Sequence, residues 1–214
     1  MTESPHVPNE LLLEYAAGST PEPIALAVAT HIWFCDLCRD RVAALEGIGG
    51  ALIDELAADD GIGDDELDAV MTRLDDTTPP DLTPSGAGDV AGPLRGYVGS
   101  SMATLKWRHL GGALDEHRID HGVNGYRASL LRIKPGRKMP PHVHSGQEIS
   151  VILSGSYSDN YGQYTAGDFV LEDQTHEHSP IAGSDEPCIC LAVLDAPLKF
   201  TGRFSRILNP FVNF

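Results

Sequence analysis

Residues 136–155 read GRKMPPHVHSGQEISVILSG, and the spacing of the polar side chains in this stretch decides the fold expected around it. His142 and His144 are two residues apart, so on a β-strand both side chains point to the same face. Glu148 keeps the same parity, and a glycine closes the stretch on each side. If that strand is one wall of a barrel, two imidazoles and a carboxylate converge inside it. Such a set suits Zn, Fe, Mn or Ni, and the ligand types do not choose among them.

The residues around this stretch have the pattern of short antiparallel strands. Apolar runs such as ASLLRI, DFVLE and CICLAVLD alternate with turn sequences such as KPGRKMPP, SGSYSDN and TAGD. The spacing is typical of strands joined by turns, and no long helical period interrupts it. Residues 95–214 are therefore predicted to form an all-β barrel or sandwich.

The stretch 136–155 resembles the first motif of the cupin family, without a gap. The resemblance implies a double-stranded β-helix, or jelly-roll, barrel that binds a divalent metal ion, zinc or another. Counting from Gly167, which begins the second motif, the fourth ligand falls on His178, with His176 as the alternative. The chain departs from the second motif at three positions, where proline, glycine and asparagine are usual: Asp173, Thr175 and Ala182. A metal-free cupin whose histidines bond one another is the other interpretation.

Two cysteines alternate on a late apolar run of the same region. Cys188 and Cys190 share one face of the predicted strand CICLAVL, where small core residues are the plainest interpretation. The alternative is a pair of oxidant-sensitive thiols beside the metal pocket.

The first part of the chain has a helical pattern instead. NELLLEYAAG, PEPIALAVATHIWFC, DLCRDRVAALEGIGG and DDELDAVMTRLDD carry apolar residues at helical spacing, and the third is expected to stop at its glycines. Residues 1–75 are predicted to form a small four-helix domain. Residues 76–94, dense in Pro, Gly, Ser, Thr and Asp, are predicted to be a linker. The expected fold class is α+β with two domains.

The segment THIWFCDLCRD, residues 30–40, places three potential metal ligands in the helical part. On a helix, or at a corner between two helices, His31, Cys35 and Cys38 project to one side. A structural zinc site needs four such ligands, and His6 is the other histidine or cysteine of the first hundred residues. The alternatives are a core histidine with two small buried thiols, or a redox dithiol, although no βαβ pattern surrounds the Cys-x2-Cys pair.

This spacing with an upstream histidine resembles the zinc-binding anti-sigma domain, a helical module that blocks an extracytoplasmic-function sigma factor from RNA polymerase. The resemblance implies that the zinc ligands are His6, His31, Cys35 and Cys38. In so small a domain, a metal ion would contribute much of the folding free energy.

Charge is distributed unevenly along the chain. The formal net charge is −16, and residues 1–90 hold 19 acidic side chains against three arginines. This excess argues against DNA or an anionic membrane as a direct partner and favours a basic protein surface. Simple solubility is the alternative explanation. No apolar segment is long enough to span a bilayer and no secretory signal is present, so we expect a cytoplasmic protein.

A zinc anti-sigma domain followed by a linker and a cupin is similar to the ChrR-type anti-sigma factors. In that family the helical domain holds the sigma factor inactive, and the cupin is required for release on singlet oxygen or organic peroxide. We therefore expect a regulator and not an enzyme. The main alternative is a dioxygenase-like cupin metalloenzyme whose helical domain is a zinc-stapled oligomerisation arm. A third interpretation is a plain zinc-dependent interaction module with a degenerate barrel.

Overall fold

The computed structural model describes residues 6–56, 63–74 and 88–202. Its first part is helical, and some helix ends follow directly from the backbone chemistry. At the end of α1, for example, Gly18 adopts φ 67°, and the amides of Gly18 and Ser19 bond back to Tyr15 and Glu14. The helices are α1 (Asn9–Ala16), α2 (Glu22–Phe34), α3 (Asp36–Asp54), α4 (Asp64–Leu74) and α5 (Arg95–Val98), with 3₁₀ turns at Gly92–Leu94 and Met102–Thr104.

The expectation that α3 stops at its glycines is wrong. The helix continues through Gly47, Gly49 and Gly50 to Asp54. Each internal glycine costs about 1 kcal/mol relative to alanine, but Ala51 and Leu52 follow as good helix formers. A glycine terminates a helix when it adopts a left-handed conformation, and none of these three does so.

The second part is built from antiparallel strands. Its main sheet has the order β1-β2-β3-β10-β5-β8, and two smaller sheets have the orders β7-β6-β9 and β11-β4. The strands are β1 (Arg108–Gly111), β2 (Leu114–Ile119), β3 (Arg127–Ile133), β4 (His142–His144), β5 (Glu148–Ser154), β6 (Ser156–Ser158), β7 (Gln163–Thr165), β8 (Phe169–Glu172), β9 (Ile181–Ala182), β10 (Cys188–Leu194) and β11 (Leu198–Phe200). The predicted fold class, helical and then all-β, is confirmed.

The two faces of the main sheet bury different sets of side chains because side chains alternate along a strand. Cys190 and Ile152 point to one side and pack into the interior of the β-domain. Their strand neighbours Leu191 and Val151 point to the other side and join a second apolar cluster. That second cluster also contains buried residues of α2, so the helical part packs on the outer face of the sheet.

Helix α2 is the element that connects the two parts. It contacts β5 and β10 on one side and the 3₁₀ turn Gly92–Leu94 on another. A Cβ on Gly92 would lie 2.5 Å from the ring of Trp33, so only glycine allows this approach. Most of the predicted linker, residues 76–87, lies outside the described residues, but its last part, 88–94, packs on α2 with Val90 and Leu94 buried.

Two apolar helix faces have no cover from the described residues. Ile48 and Leu52 lie four residues apart near the end of α3, Leu56 follows two residues beyond that end, and each of the three is at least 60% exposed. On α4 the predicted apolar face, Leu67, Val70, Met71 and Leu74, is more than half exposed. No described helix is both long and apolar enough to cross a bilayer.

Candidate metal centres

Four side chains of the helical part meet at one point: His6, His31, Cys35 and Cys38. His31 lies in the last turn of α2, and Cys35 lies in extended backbone (φ −113°, ψ 103°) between α2 and α3. Cys38 follows in the first turn of α3, and His6 reaches the group from the segment before α1. One nitrogen or sulfur atom of each lies within 4.8 Å of the other three. This group is the first candidate metal centre.

The atoms of this first centre are oriented for metal binding. Nδ1 of His6 lies 3.4 Å from Sγ of Cys35 and 3.7 Å from Sγ of Cys38. Nδ1 of His31 donates a hydrogen bond to the carbonyl oxygen of Gly167 in the β-domain, at 2.7 Å. Nε2 of His31 is therefore an acceptor, and it is buried without a hydrogen-bond partner in the described parts of the chain. Burial lowers the pKa of His31, which keeps the imidazole neutral and able to bind a metal ion.

Three imidazoles form a second candidate centre inside the β-domain. His142 and His144 lie on β4, and the backbone of His178 exchanges two hydrogen bonds with that of His142. Nε2 of His178 lies 2.9 Å from Nε2 of His142 and 3.2 Å from Nε2 of His144. All three side chains are buried.

The hydrogen bonds of the other ring nitrogens show why this centre needs a cation. Nδ1 of His142 donates to the carbonyl oxygen of Pro140 at 2.8 Å. Nδ1 of His178 lies 3.0 Å from a carboxylate oxygen of Asp159 and 2.8 Å from one of Glu172. Because the Nδ1 atom of each ring carries its proton and donates these hydrogen bonds, the Nε2 atoms of His142 and His178 carry lone pairs that point at each other. A proton or a metal ion must lie between them.

Glu148, the predicted carboxylate ligand, lies beside the three imidazoles instead of among their converging nitrogens. Its Oε2 is 3.1 Å from Nδ1 of His144, outside hydrogen-bond geometry, and its Oε1 accepts from the hydroxyl of Ser150 at 3.2 Å. Glu148 is nevertheless buried and lines the same cavity.

The sequence pattern did not predict two buried carboxylates at this centre, those of Glu172 and Asp159. Glu172 on β8 is directly opposite Glu148 on β5, and its Oε2 lies 3.5 Å from Nε2 of His144. Burial alone would raise the pKa of Glu172, but hydrogen bonds from His144 and His178 lower this pKa to about 2. Against the lowering effect of burial, Asp159 and Glu172 raise the pKa of His178 to about 9. Glu172 ends the apolar run DFVLE, but only the strand register brings it to the site.

The two alternatives for the fourth cupin ligand lie in different places. His176 lies outside the group of converging nitrogens, and its Nδ1 is 2.9 Å from Asp173. His178 is inside the group.

The two late cysteines are buried free thiols on β10. Burial and the nearby Glu186 carboxylate raise the pKa of Cys188 to about 12, and burial raises that of Cys190 as well. A raised pKa keeps both sulfurs as thiols, which are poor nucleophiles, so neither cysteine has the chemistry of an exposed redox sensor.

A cavity of about 810 Å³ opens next to the second centre. His142, Glu148, Glu172 and His178 form part of its wall, and Cys190 also faces it. A small molecule that enters the cavity therefore reaches the imidazole group.

Comparison with known proteins gives matches over both parts of the chain. The ChrR cupin-like domain family matches residues 97–196. The anti-sigma-E factor ChrR of Cereibacter sphaeroides is 38% identical over 212 residues, which cover 99% of each protein.

Solved structures show the same likeness. The crystal structure of Rhodobacter sphaeroides SigE in complex with the anti-sigma ChrR matches with a TM-score of 0.75 and 36% identity, over 88% of this chain and 97% of that one. An RmlC-like cupin protein from Ralstonia eutropha is a more distant likeness, with a TM-score of 0.41 and 20% identity over 48% of this chain and 70% of that one.

Proposed function

The chain belongs to the ChrR family of anti-sigma factors, and on that premise we propose that it holds an extracytoplasmic-function sigma factor inactive and releases it on an oxidative signal. Its role is regulatory and not enzymatic. The observation that carries the proposal is the match to ChrR over nearly the whole length of both chains, including a structure of ChrR bound to SigE. A sigma factor acts on RNA polymerase, so the proposal places the protein in the cytoplasm.

The uncovered apolar faces of α3 and α4 support a protein partner. Contiguous exposed apolar surface on a helix is costly in water and commonly marks an interface. Leu52 on α3 is 60% exposed, and Met71 on α4 is 55% exposed. We propose that the sigma factor covers both faces in the complex.

Charge supports the same partner. The acidic excess of residues 1–90 is complementary to the basic surfaces that sigma factors use to bind promoter DNA. Direct binding of nucleic acid or of an anionic membrane by this part would bring like charges together, so we propose neither.

Zinc is the metal that the first centre fits best. Bonds of about 2.3 Å to sulfur and about 2.0–2.1 Å to nitrogen place S and N about 3.5 Å apart in a tetrahedral site. Nδ1 of His6 lies 3.4 and 3.7 Å from the two sulfurs. We propose that His6, His31, Cys35 and Cys38 hold a structural zinc ion that fixes the corner between α2 and α3.

The second centre would hold zinc or another divalent ion through His142, His144 and His178, with Glu148 as the fourth ligand after a small side-chain movement. Its nitrogen and oxygen donors do not select one metal. When bound, the ion would supply the reactive position at which an oxidant or an oxidised small molecule is detected. The buried, protonated thiols of Cys188 and Cys190 make a direct thiol reaction less suited to this role.

The hydrogen bond from His31 to Gly167 supplies a route between the two centres. His31 is a proposed zinc ligand, whereas Gly167 belongs to the β-domain turn before β8. The ring of His31 also contacts that of Phe169 edge to face, with centroids 5.7 Å apart. We propose that a change at the cupin centre alters the docking of α2 on the sheet and thereby weakens sigma binding. A signal that favours one arrangement by a few kcal/mol is sufficient.

Co-expression with candidate extracytoplasmic-function sigma factors tests the proposal. We expect a stable complex with two metal ions per chain, one of them zinc. After exposure of the purified complex to singlet oxygen, wild type should release the sigma factor, whereas His142→Ala with Glu148→Ala should retain it. A matched control, His121→Ala with Glu186→Ala, removes the same residue types outside the centre and should release as wild type does. Failure to capture any sigma factor would refute the anti-sigma role, and equal release by all three proteins would refute sensing at the cupin metal.

A further inference from the structure

The cavity beside the second centre has the dimensions of a small-molecule site. Its volume of about 810 Å³ lies within the range of about 300–1,000 Å³ that is typical of such sites. Three apolar side chains, Leu131, Ile133 and Met139, form part of the wall. A ligand with an apolar body would bury that body against them.

Three of the cationic side chains that line the cavity are exposed to solvent. Arg118, Arg137 and Lys138 line the cavity and are solvent-exposed. None of the three makes an ion pair with another residue in the described ranges of the chain. Exposed positive charges along the cavity wall attract an anion and concentrate it there.

The acidic residues of the wall do not cancel this attraction. Glu116 is paired with the guanidinium groups of Arg108 and Arg127. Glu148 and Glu172 both lie against the imidazole group, Glu148 beside His144 and Glu172 beside His144 and His178. Among the described residues, the charge of the cavity wall that has no counter-ion is therefore positive and exposed to solvent.

We propose that this cavity binds an amphipathic organic anion, with its charged head at Arg118, Arg137 and Lys138 and its apolar chain directed toward the imidazole group. The inference deepens the proposed function, because such a molecule would be the ligand whose arrival or oxidation the cupin reports to the helical part. Binding itself requires no sigma factor. A neutral chain of the same length lacks the interaction with the cations, and a small anion without a chain lacks the apolar contacts.

Calorimetric titration of the metal-loaded full chain tests the proposal, with octanoate as the probe. We expect octanoate to bind at least tenfold more tightly than octanol, because only octanoate pairs with the cations. It should also bind at least tenfold more tightly than butyrate, because the longer chain buries more apolar surface. Octyl phosphate, run in parallel, identifies whether a carboxylate or a phosphate head is preferred, and tight binding of either supports an anionic amphiphile.

Two charge-matched variants locate the site. Arg118→Gln with Arg137→Gln and Lys138→Gln should weaken octanoate binding at least tenfold. Lys106→Gln with Lys134→Gln and Lys199→Gln removes the same charge from the same domain away from the cavity, and should change binding less than twofold. Equal losses in the two triple variants, octanol binding as tight as octanoate binding, or no binding of either anion at 5 mM would each overturn the proposal. Sigma capture is measured separately without ligand, so a failure of the anti-sigma role would leave the titration result standing.

Discussion

Glu116 on β2 is a carboxylate with only 1% of its side chain exposed, and it lies outside both candidate metal centres. A buried carboxylate is tolerated when several donors offset its desolvation. Arg108, Arg127 and Ser129 all donate to it. The pair with Arg127 dominates, because Arg127 is 19% exposed and Arg108 is 65% exposed. Burial alone would raise the pKa of Glu116, but these donors lower this pKa to about 2.

Replacement of Glu116 by Gln should destabilise the protein by about 2 to 3 kcal/mol at pH 7. A carboxyl whose pKa is lower in the folded state stabilises that state above its unfolded pKa of 4.5, and the stabilisation is lost as the pH falls toward 2. The difference between wild type and Glu116→Gln should therefore shrink between pH 4.5 and pH 2. Urea unfolding at a series of pH values measures it. Glu186→Gln, at an exposed position, should change stability little, and a pH-independent difference for Glu116→Gln would contradict the explanation.

Residue types and spacing predicted most of the side chains that converge at the two candidate centres. His142 and His144 share parity on one strand, and the His31, Cys35 and Cys38 spacing predicts a common side on helices, so local geometry brings each set together. Glu172 was not predictable in this way. It reaches the second centre through the β5–β8 register, which depends on long-range pairing and leaves no local pattern.

At the scale of elements, the helical and β periods predicted the two parts, but not their contact. The sequence of α2, EPIALAVATHIWF, is apolar on nearly all sides, which is typical of a helix buried between two layers. That pattern predicts that α2 packs against a second element, but it does not identify this element as the sheet. The glycines of α3 led to a wrong prediction of where this helix ends. A glycine ends a helix only when tertiary contacts or a turn require a left-handed residue.

Two glycine variants test the contact between α2 and the β-domain. Gly167 (φ 97°) and Gly136 (φ 65°) both have left-handed backbones, so alanine strains each by about 1–2 kcal/mol. Only at Gly167 would the new methyl group lie 3.2 Å from Phe34, and only Gly167 accepts the hydrogen bond from His31. We expect Gly167→Ala to speed zinc transfer from the loaded protein to a chromophoric chelator about tenfold. Gly136→Ala is the control and should transfer zinc at the wild-type rate.

Equal zinc transfer by the two glycine variants would show that the turn before β8 does not orient the zinc ligand. Both should lose similar stability to urea, because the backbone strain is similar. Loss of stability without a change in zinc transfer in Gly167→Ala would likewise contradict the proposed route between the centres.

At the scale of the whole molecule, charge and apolar surface are placed for different steps of partner binding. The acidic excess lies in residues 1–90, which also contain the exposed apolar faces of α3 and α4. Long-range attraction between opposite charges accelerates encounter and is screened by salt. Burial of apolar side chains acts only at contact, so it mainly determines how long the complex lasts.

Stopped-flow measurements with the captured sigma factor should separate the two steps. Between 50 mM and 500 mM NaCl, we expect the association rate constant to fall at least tenfold, while the dissociation rate constant changes much less. Leu67→Ala with Met71→Ala on α4 should raise the dissociation rate constant at least tenfold and leave the salt dependence of association unchanged. Thr72→Ala, an exposed change on the same helix, should have little effect on either rate. A salt effect confined to dissociation would mean that the acidic residues act at contact and not in steering, and the charge argument for the partner would fail.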